Sequence, residues 1–140
     1  MEMSVDYYCN LSDGDNEALI LTIEYGDYKA FEKLLATIEN VNATDNSEGH
    51  WTPLMYAVLE QLFVMAKKIV EAGADVNVRA RLYSDEFPLN LAAYGYCSAS
   101  YFHEYTRSKE IYDYLFPITS PELQKIAEDN LNSRTNTIFN

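Results

Sequence analysis

The sequence is poor in several residue types, and each shortage excludes a class of protein. Two cysteines, Cys9 and Cys97, in 140 residues are too few for a scaffold held together by disulfides. Two histidines, His50 and His103, stand 53 positions apart with no cluster of cysteines or carboxylates at ligand spacing, so no metal site is expected. Ten lysines and arginines against 22 acids form no basic stripe, and we expect no direct nucleic-acid binding.

Catalytic signatures and long apolar runs are missing as well. The sequence has no phosphate-binding loop, no dinucleotide-binding glycine turn, no HExxH zinc motif and no GxSxG nucleophile elbow. We therefore predict a protein that is not an enzyme, with no cofactor and no evident small-molecule substrate. The longest apolar stretches, such as Ala18 to Ile23, are far shorter than the roughly 20 residues that cross a bilayer. Because no signal peptide is recognisable, we expect a cytoplasmic protein, or one delivered into a host cell, and no membrane association.

The acidic residues are unevenly distributed along the chain. Residues 1–50 hold 11 acids against 2 lysines, a net charge of −9, whereas residues 51–140 hold 11 acids against 8 bases, a net charge of −3. An acidic field repels phosphate backbones and speeds encounter with basic surfaces. It also keeps a protein in solution, and both interpretations stand at this stage.

Tyrosine is abundant, and half of the 12 tyrosines fall between positions 94 and 114. A tyrosine side chain offers a large, stiff, amphipathic contact area at a low entropic cost, which explains its enrichment in binding surfaces. The segment from Tyr94 to Tyr105 is therefore either a binding surface or an insertion that packs on its own helix pair.

Two short motifs mark the two ends of a 26-residue segment, and the residues between the motifs have a helical pattern. The first, TPLMYA, begins at Thr52, and the second, GADVN, ends at Asn77. Thr52 can cap a helix, and Pro53 supplies a preset φ where the missing N–H does no harm. Apolar residues then recur at three- and four-residue spacing, and Gly73 can take the left-handed conformation beyond a helix end. These residues predict a helix-turn-helix unit.

This unit resembles an ankyrin repeat, whose signature opens T-P-L-H-x-A in about 33 residues of a turn and two helices. The match runs from Thr52 to Asn77 without insertion or deletion. Met55 replaces the family's histidine, and Gln61 replaces a glycine in a tight turn, where a side chain costs about 1 kcal/mol. The resemblance implies an all-α fold, an ankyrin-repeat solenoid of stacked helix-turn-helix units with short hairpin-like finger loops.

The same template fits upstream and downstream, because Asn42 and Asn77 lie 35 residues apart, as do Pro53 and Pro88. Asp15 or Asn16 is the predicted cap of the first upstream helix. The predicted units are an N-terminal segment (1–14), a degenerate repeat 1 (15–48), repeat 2 (49–83), repeat 3 (84–118) with an insertion at about 97–107, and a C-terminal capping helix and tail (119–140). The capping helix is predicted to begin after Ser120 and to end near Leu131.

In this family, partners are generally other proteins, which contact the inner helices and the fingers. Carried over position by position, finger 1 is about Asn42 to Trp51 and finger 2 about Asn77 to Glu86. The predicted protein-binding residues are Asp45, Glu48, His50, Trp51, Tyr56, Glu60, Arg79, Arg81, Tyr83, Asp85, Glu86 and Tyr94. Trp51 and Tyr83 are the predicted anchors, because aromatic side chains dominate interface energetics. Trp51 equally suits a position packed against the adjacent repeat.

Two functions are consistent with these features. The first is an acidic stoichiometric inhibitor, of the immunity, antitoxin or anti-defence type, that covers a basic surface of a partner protein. The second is an adaptor or effector that recruits a host protein through a mostly neutral concave face. The two differ in their salt dependence, because only steered binding to a basic partner loses association rate steeply as ionic strength rises.

Overall fold

The computed structural model describes residues 2–12, 14–45, 50–80, 85–98 and 102–139. Within these ranges the chain is helical, and its extended pairing is limited to one antiparallel bridge between Ala80 and Glu86. The elements are α1 (Val5–Leu11), α2 (Asp15–Tyr25), α3 (Tyr28–Thr37), α4 (Pro53–Leu59), α5 (Phe63–Glu71), α6 (Pro88–Ser98), α7 (Phe102–Leu115), a 3-10 turn (Phe116–Ile118) and α8 (Pro121–Phe139). The predicted all-α fold is confirmed.

The helices between the two ends of the chain form two rows. The inner row consists of α2, α4 and α6, which pack side by side, and the outer row consists of α3, α5 and α7, each packed on the inner helix that precedes it. At one end α1 packs on α2 and α3, and at the other α8 packs on α6. One continuous core runs from Tyr8 in α1 to Ala127 in α8. Stacking therefore buries the apolar faces that no single helix pair could cover.

The helix boundaries of the central unit follow from its sequence. Thr52 has an extended backbone and accepts a hydrogen bond from the Met55 N–H at 3.4 Å through its hydroxyl, and Pro53 is the first residue of α4. Gln61, in the turn between α4 and α5, has a φ of 60°, the left-handed conformation predicted from the missing glycine. Gly73 follows α5 with a φ of 102°. Local signals thus set the start of α4 and the end of α5.

The predicted cap of α2 by Asp15 or Asn16 is wrong. The cap position is Gly14, which has no side chain to accept a hydrogen bond, and Asp15 is already the first helical residue. The Asn16 amide instead donates to the Ala43 carbonyl in finger 1. The Asn16 side chain therefore makes a tertiary hydrogen bond to finger 1 and does not cap its own helix.

Neighbouring units are tied by two asparagines in equivalent positions. The Asn42 Oδ1 accepts a hydrogen bond from the Asp75 N–H at 2.7 Å, and the Asn77 Oδ1 accepts one from the Ser120 N–H at 2.8 Å. The first link joins the base of finger 1 to the segment after α5, and the second joins the base of finger 2 to the segment before α8. Each finger base therefore binds the backbone of the next unit along the stack.

The C-terminal half differs in length from the sequence-based expectation. Helix α6 has 11 residues and α7 has 14, against 7 in α4 and 9 in α5, so much of the extra sequence around positions 97–107 extends these two helices. Helix α8 continues to Phe139, well beyond the predicted end near Leu131. The repeat boundaries themselves stay a prediction.

Helix α1 is attached to the first repeat by a buried carboxylate. Asp27 accepts hydrogen bonds from the Met3 N–H at 2.7 Å, from the Tyr8 hydroxyl at 2.7 Å and from the Ala30 N–H at 3.3 Å. Burial by itself raises the pKa of the Asp27 carboxyl, but these hydrogen bonds outweigh it and the net pKa is lowered. The stability that Asp27 contributes is therefore present above its ordinary pKa and is lost as the pH falls through the lowered value.

Candidate protein-binding surface

The two fingers close with the same backbone geometry at positions 35 residues apart. In finger 1 the Asp45 N–H donates to the Trp51 carbonyl at 2.9 Å. In finger 2 the Ala80 N–H donates to the Glu86 carbonyl at 2.7 Å. Both fingers are therefore narrow at the base, and each presents its side chains from an equivalent backbone position.

The residue before each closing position has a left-handed backbone. His50 has a φ of 53° and Asp85 a φ of 51°. Residues other than glycine adopt this conformation at an energetic cost, although aspartate and histidine tolerate it better than most. Because the same conformation recurs at the same finger position, the geometry of the repeat, and not the residue, determines it.

Three side chains join finger 1 to the start of α4. The Asp45 carboxylate is buried and accepts hydrogen bonds from the Trp51 N–H at 3.3 Å and from the Tyr56 hydroxyl. The rings of Trp51 and Tyr56 lie against each other, with 5.5 Å between centroids and 60° between their planes. Trp51 is half-buried and packs against the core. Asp45, Trp51 and Tyr56 thus form one linked cluster, with Trp51 both supporting the fold and reaching the surface.

Finger 2 contains one ion pair between charged side chains. Arg79 forms an ion pair with Asp85, and its guanidinium lies over the Phe87 ring, 5.8 Å from the centroid. Glu86 accepts a hydrogen bond from the Asn90 side-chain amide at 2.7 Å. Arg79 and Asp85 therefore neutralise each other within finger 2, whereas the described partner of Glu86 is an uncharged amide.

A groove of about 260 Å³ lies on the inner row beside finger 1. Its walls come from the end of α1, one side of α2, and the finger 1 cluster. The lining residues are Leu11, Glu17, Ile20, Leu21, Glu24, Asp45 and Tyr56. Leu11 is 54% exposed, so part of the apolar wall faces water. We refer to this site as the acidic groove.

Negative charge accumulates in and around the acidic groove. The pKa of the Glu24 carboxyl is raised, first because the group is partly removed from water and then because Glu60 and Asp45 lie close to it. Glu60 follows the last residue of α4. Carboxylates from α2, from finger 1 and from the end of α4 therefore repel one another here.

Equivalent positions on the inner row change in character from one end to the other. Glu24, Leu59 and Tyr94 lie 35 residues apart on α2, α4 and α6, and all three are exposed. Leu59 is 47% and Tyr94 51% exposed. The inner surface is therefore acidic at the first repeat and apolar or aromatic at the next two.

The two rows also differ in charge. Between their first and last residues, the inner helices contain three carboxylates and neither lysine nor arginine. Each outer helix contains two basic residues; these are Lys29 and Lys33, Lys67 and Lys68, and Arg107 and Lys109. Among the six stacked helices, lysine and arginine therefore occur only in the outer row. The outer row also carries five carboxylates, which are those of Glu32, Glu71, Glu104, Glu110 and Asp113.

The residues predicted as binding sites fall into two groups. The first group is at the acidic groove and consists of Asp45, Trp51, Tyr56 and Glu60, with His50 exposed beside them. In the second group Arg79, Asp85 and Glu86 belong to finger 2, and Tyr94 is exposed on α6. Glu48, Arg81 and Tyr83 lie outside the described residues. Sequence reasoning missed the rest of the groove, namely Leu11, Glu17, Ile20, Leu21 and Glu24. The strongest signal for these residues in the sequence was the position of Glu24, which lies 35 residues before Leu59 and so at the equivalent place in the preceding unit.

Neither a metal centre nor a membrane span was found in the described part of the chain. There, no group of three or more histidine, cysteine, aspartate or glutamate side chains is arranged to hold a metal ion. Among the same residues, no helix combines the length and the apolar character needed to cross a bilayer.

Two comparisons with known proteins bear on the family of this chain. A family model for ankyrin repeats, in three copies, matches residues 3–80. The potassium channel GORK of Arabidopsis thaliana is 43% identical over 63 residues, which make up 45% of this chain and 7% of the channel, so the chain spans only a small part of that relative. Ankyrin repeats bind other proteins and are generally non-catalytic interaction modules. Since the family model covers more than half of the 140 residues, this chain belongs to the ankyrin-repeat family.

Proposed function

We propose that this protein binds a basic surface of a partner protein through its inner row and finger 1. The charge of the inner row supports the proposal most directly, because α2 carries three carboxylates and no inner helix carries a base, whereas the outer helices together hold six bases and five carboxylates. A surface of one sign attracts an oppositely charged surface and accelerates encounter with it. The partner therefore approaches the inner side.

Apolar and aromatic residues beside the acidic groove supply the contact that holds the partner. Trp51 and Tyr56 stand at its edge, and Leu59 and Tyr94 extend an exposed apolar line along the inner row. Charges chiefly set association rates, whereas buried aromatic contacts chiefly set dissociation rates. The inner surface thus combines a steering region at α2 with an anchoring region at α4 and α6.

This arrangement suits a stoichiometric inhibitor of the immunity, antitoxin or anti-defence type. A formal net charge of −12 in 140 residues, concentrated in the first 50, gives a small protein the means to cover a basic active surface. Such a protein acts by occupying the surface and needs no chemistry of its own. Each chain would block one partner molecule.

An adaptor or effector is the second candidate function, and the apolar end of the inner row favours it. Leu59 and Tyr94 are exposed where the helices carry no charged residue, so a neutral partner surface would fit there. In that case the acidic groove would contribute little to binding. The two functions therefore assign the binding energy to opposite ends of the same surface.

The salt dependence of association distinguishes these functions. We would isolate the partner from the native host with the full chain, purify it, and measure both rate constants between about 0.05 and 0.5 M salt. The inhibitor predicts an association rate that falls at least about tenfold across this range, with little change in dissociation. An acidic partner, or an association rate that ignores salt, would contradict it and favour the adaptor.

A matched pair of variants tests the location of the charge. Glu24→Lys, in the acidic groove, and Glu128→Lys, exposed on α8, both bring the formal net charge to −10. Only Glu24→Lys is expected to slow association beyond the shared effect of net charge. Equal slowing by both variants would show that total charge, and not the inner row, guides the partner.

A further inference from the structure

The acidic groove contains three kinds of group, and one type of protein side chain can contact all three at once. Its lining combines carboxylates, the aliphatic residues Leu11, Ile20 and Leu21, and the ring of Tyr56. We propose that this groove receives an arginine side chain of the partner protein. This inference rests on the proposed function and specifies what the basic surface inserts.

The size of the groove indicates a single side chain. Its volume of about 260 Å³ lies below the roughly 300–1,000 Å³ of small-molecule pockets. A helix or a folded loop would not enter such a space, whereas a long side chain can lie along it. Its lining includes Glu17 and Glu24 of α2, the inner helix that carries the carboxylates.

The lining distinguishes arginine from lysine. A guanidinium is planar and weakly hydrated, stacks on aromatic rings and pairs with carboxylates through two hydrogen bonds, whereas an ammonium is compact and strongly hydrated. Aliphatic walls such as Leu21 therefore exclude a lysine head group more than an arginine head group. Tyr56 provides the ring against which a guanidinium can stack.

The carboxylates in the groove have different roles. Asp45 already accepts hydrogen bonds from the Trp51 N–H and the Tyr56 hydroxyl, so it contributes charge and holds the ring in place. Glu24 lies next to Asp45 and Glu60, and the repulsion among them raises the Glu24 pKa. A cation beside Glu24 relieves that repulsion. Glu24 is therefore the principal ion-pair partner of the arginine.

Blocked amino acids test this inference without the native partner. N-acetyl-arginine methylamide, the matching lysine compound and the uncharged isostere N-acetyl-citrulline methylamide would each be titrated into the full chain, with backbone amide signals followed by NMR. The arginine compound should give saturable shifts at Ile20, Leu21, Glu24 and Tyr56. The lysine compound should bind at least about fivefold more weakly. The citrulline compound should produce no saturable shift.

Two variants connect the shifts to the groove. Glu24→Gln keeps the shape of the side chain and removes its charge, and it should abolish saturation with the arginine compound. Glu128→Gln on α8 makes the same change outside the groove and should leave saturation intact. Because Glu24→Gln removes a repelling charge, the variant should fold at least as stably as the parent, which thermal unfolding checks. Equal binding of lysine and arginine, saturation that survives Glu24→Gln, or shifts elsewhere would overturn the proposal.

The result can be separated from that of the proposed function. If the arginine compound fails while association with the purified partner remains salt-dependent and sensitive to Glu24→Lys, the basic partner stands and the arginine site does not. If the arginine compound saturates the groove while partner association ignores salt, the groove binds arginine and the proposed function is wrong.

Discussion

Position 45 in finger 1 is a buried aspartate, and the position 35 residues later, in finger 2, is a buried alanine, Ala80. The Trp51 carbonyl accepts the hydrogen bond that closes finger 1, and the Glu86 carbonyl accepts the equivalent bond in finger 2. The backbones are alike while the side chains are unrelated. A repeat therefore conserves the geometry of a loop and leaves its chemistry free, and in this protein finger 1 uses that freedom to line a groove.

The residue that follows each finger illustrates the difference. Thr52 uses its hydroxyl to cap α4, whereas Phe87, at the same position before α6, fills the core with its ring and packs under the Arg79 guanidinium. Both positions are buried. The position after finger 1 thus supplies a hydrogen bond to α4, and the position after finger 2 supplies an apolar side chain to the core. The variants below test this contrast.

The largest effect is expected from Phe87→Ala in finger 2. Phe87 is 1% exposed, and removing a buried ring of this size leaves a cavity that costs about 3–5 kcal/mol of unfolding free energy. Chemical denaturation of the full chain would measure the loss. A decrease below about 1 kcal/mol would mean that the ring is not an essential part of the core.

Asp45→Ala in finger 1 is expected to cost about 1.5–3 kcal/mol, because the substitution removes hydrogen bonds to a carboxylate from the Trp51 N–H and the Tyr56 hydroxyl. The change installs the residue that finger 2 has at this position. A double-mutant cycle with Tyr56→Phe should give a coupling of about 1 kcal/mol in denaturation experiments. Additive losses would show that the aspartate and the tyrosine act independently.

Thr52→Ala should reduce the unfolding free energy by about 1 kcal/mol, since it deletes the cap of α4. Thr52→Ser is the matched control, because serine retains the hydroxyl and should recover most of the stability. Thermal unfolding followed by circular dichroism is sufficient for both variants. If serine and alanine destabilise equally, the methyl group and not the cap is what matters at this position.

The smallest effects are expected from glycine at the two left-handed positions. His50→Gly should stabilise the protein by up to about 1 kcal/mol, because it relieves the cost of a positive φ. Asp85→Gly should increase the unfolding free energy by less, since this substitution also removes the ion pair with Arg79. Unfolding midpoints of both variants test this order. Destabilisation by His50→Gly would reveal a side-chain contact that outweighs the backbone cost.

Local signals in the sequence were sufficient for the central unit. The capping role of Thr52 depends on residues a few positions away, so the local sequence predicted it. The left-handed position at Gln61 was suggested only by the resemblance to ankyrin repeats, which have a glycine there. Helix α1 was not predicted, because seven residues do not form a stable helix unaided. It depends on Tyr8 and Asp27, which meet only in the folded chain.

The acidic groove was hidden for the same reason. Leu11 and Glu24 belong to different helices, and only the packing of α1 on α2 turns them into two walls of one site. On a sequence, Glu17 and Glu24 are indistinguishable from solvated acids on a helix face. Asp45 and Tyr56 were predicted because the family template places them at a finger and on an inner helix, and their part in binding stays a prediction.

The asparagine links between units have a consequence for how this chain can grow. Asn42 and Asn77 occupy the same position in successive units and offer the same oxygen to the backbone of the next one. A segment copied from residue 43 to residue 77 therefore ends in an asparagine like the one that precedes it. In a tandem duplication of those 35 residues, Asn77 of the first copy would stand where Asn42 stands now and could accept from the Asp75 N–H of the second copy. The molecule can thus be lengthened by a whole unit without designing a new joint.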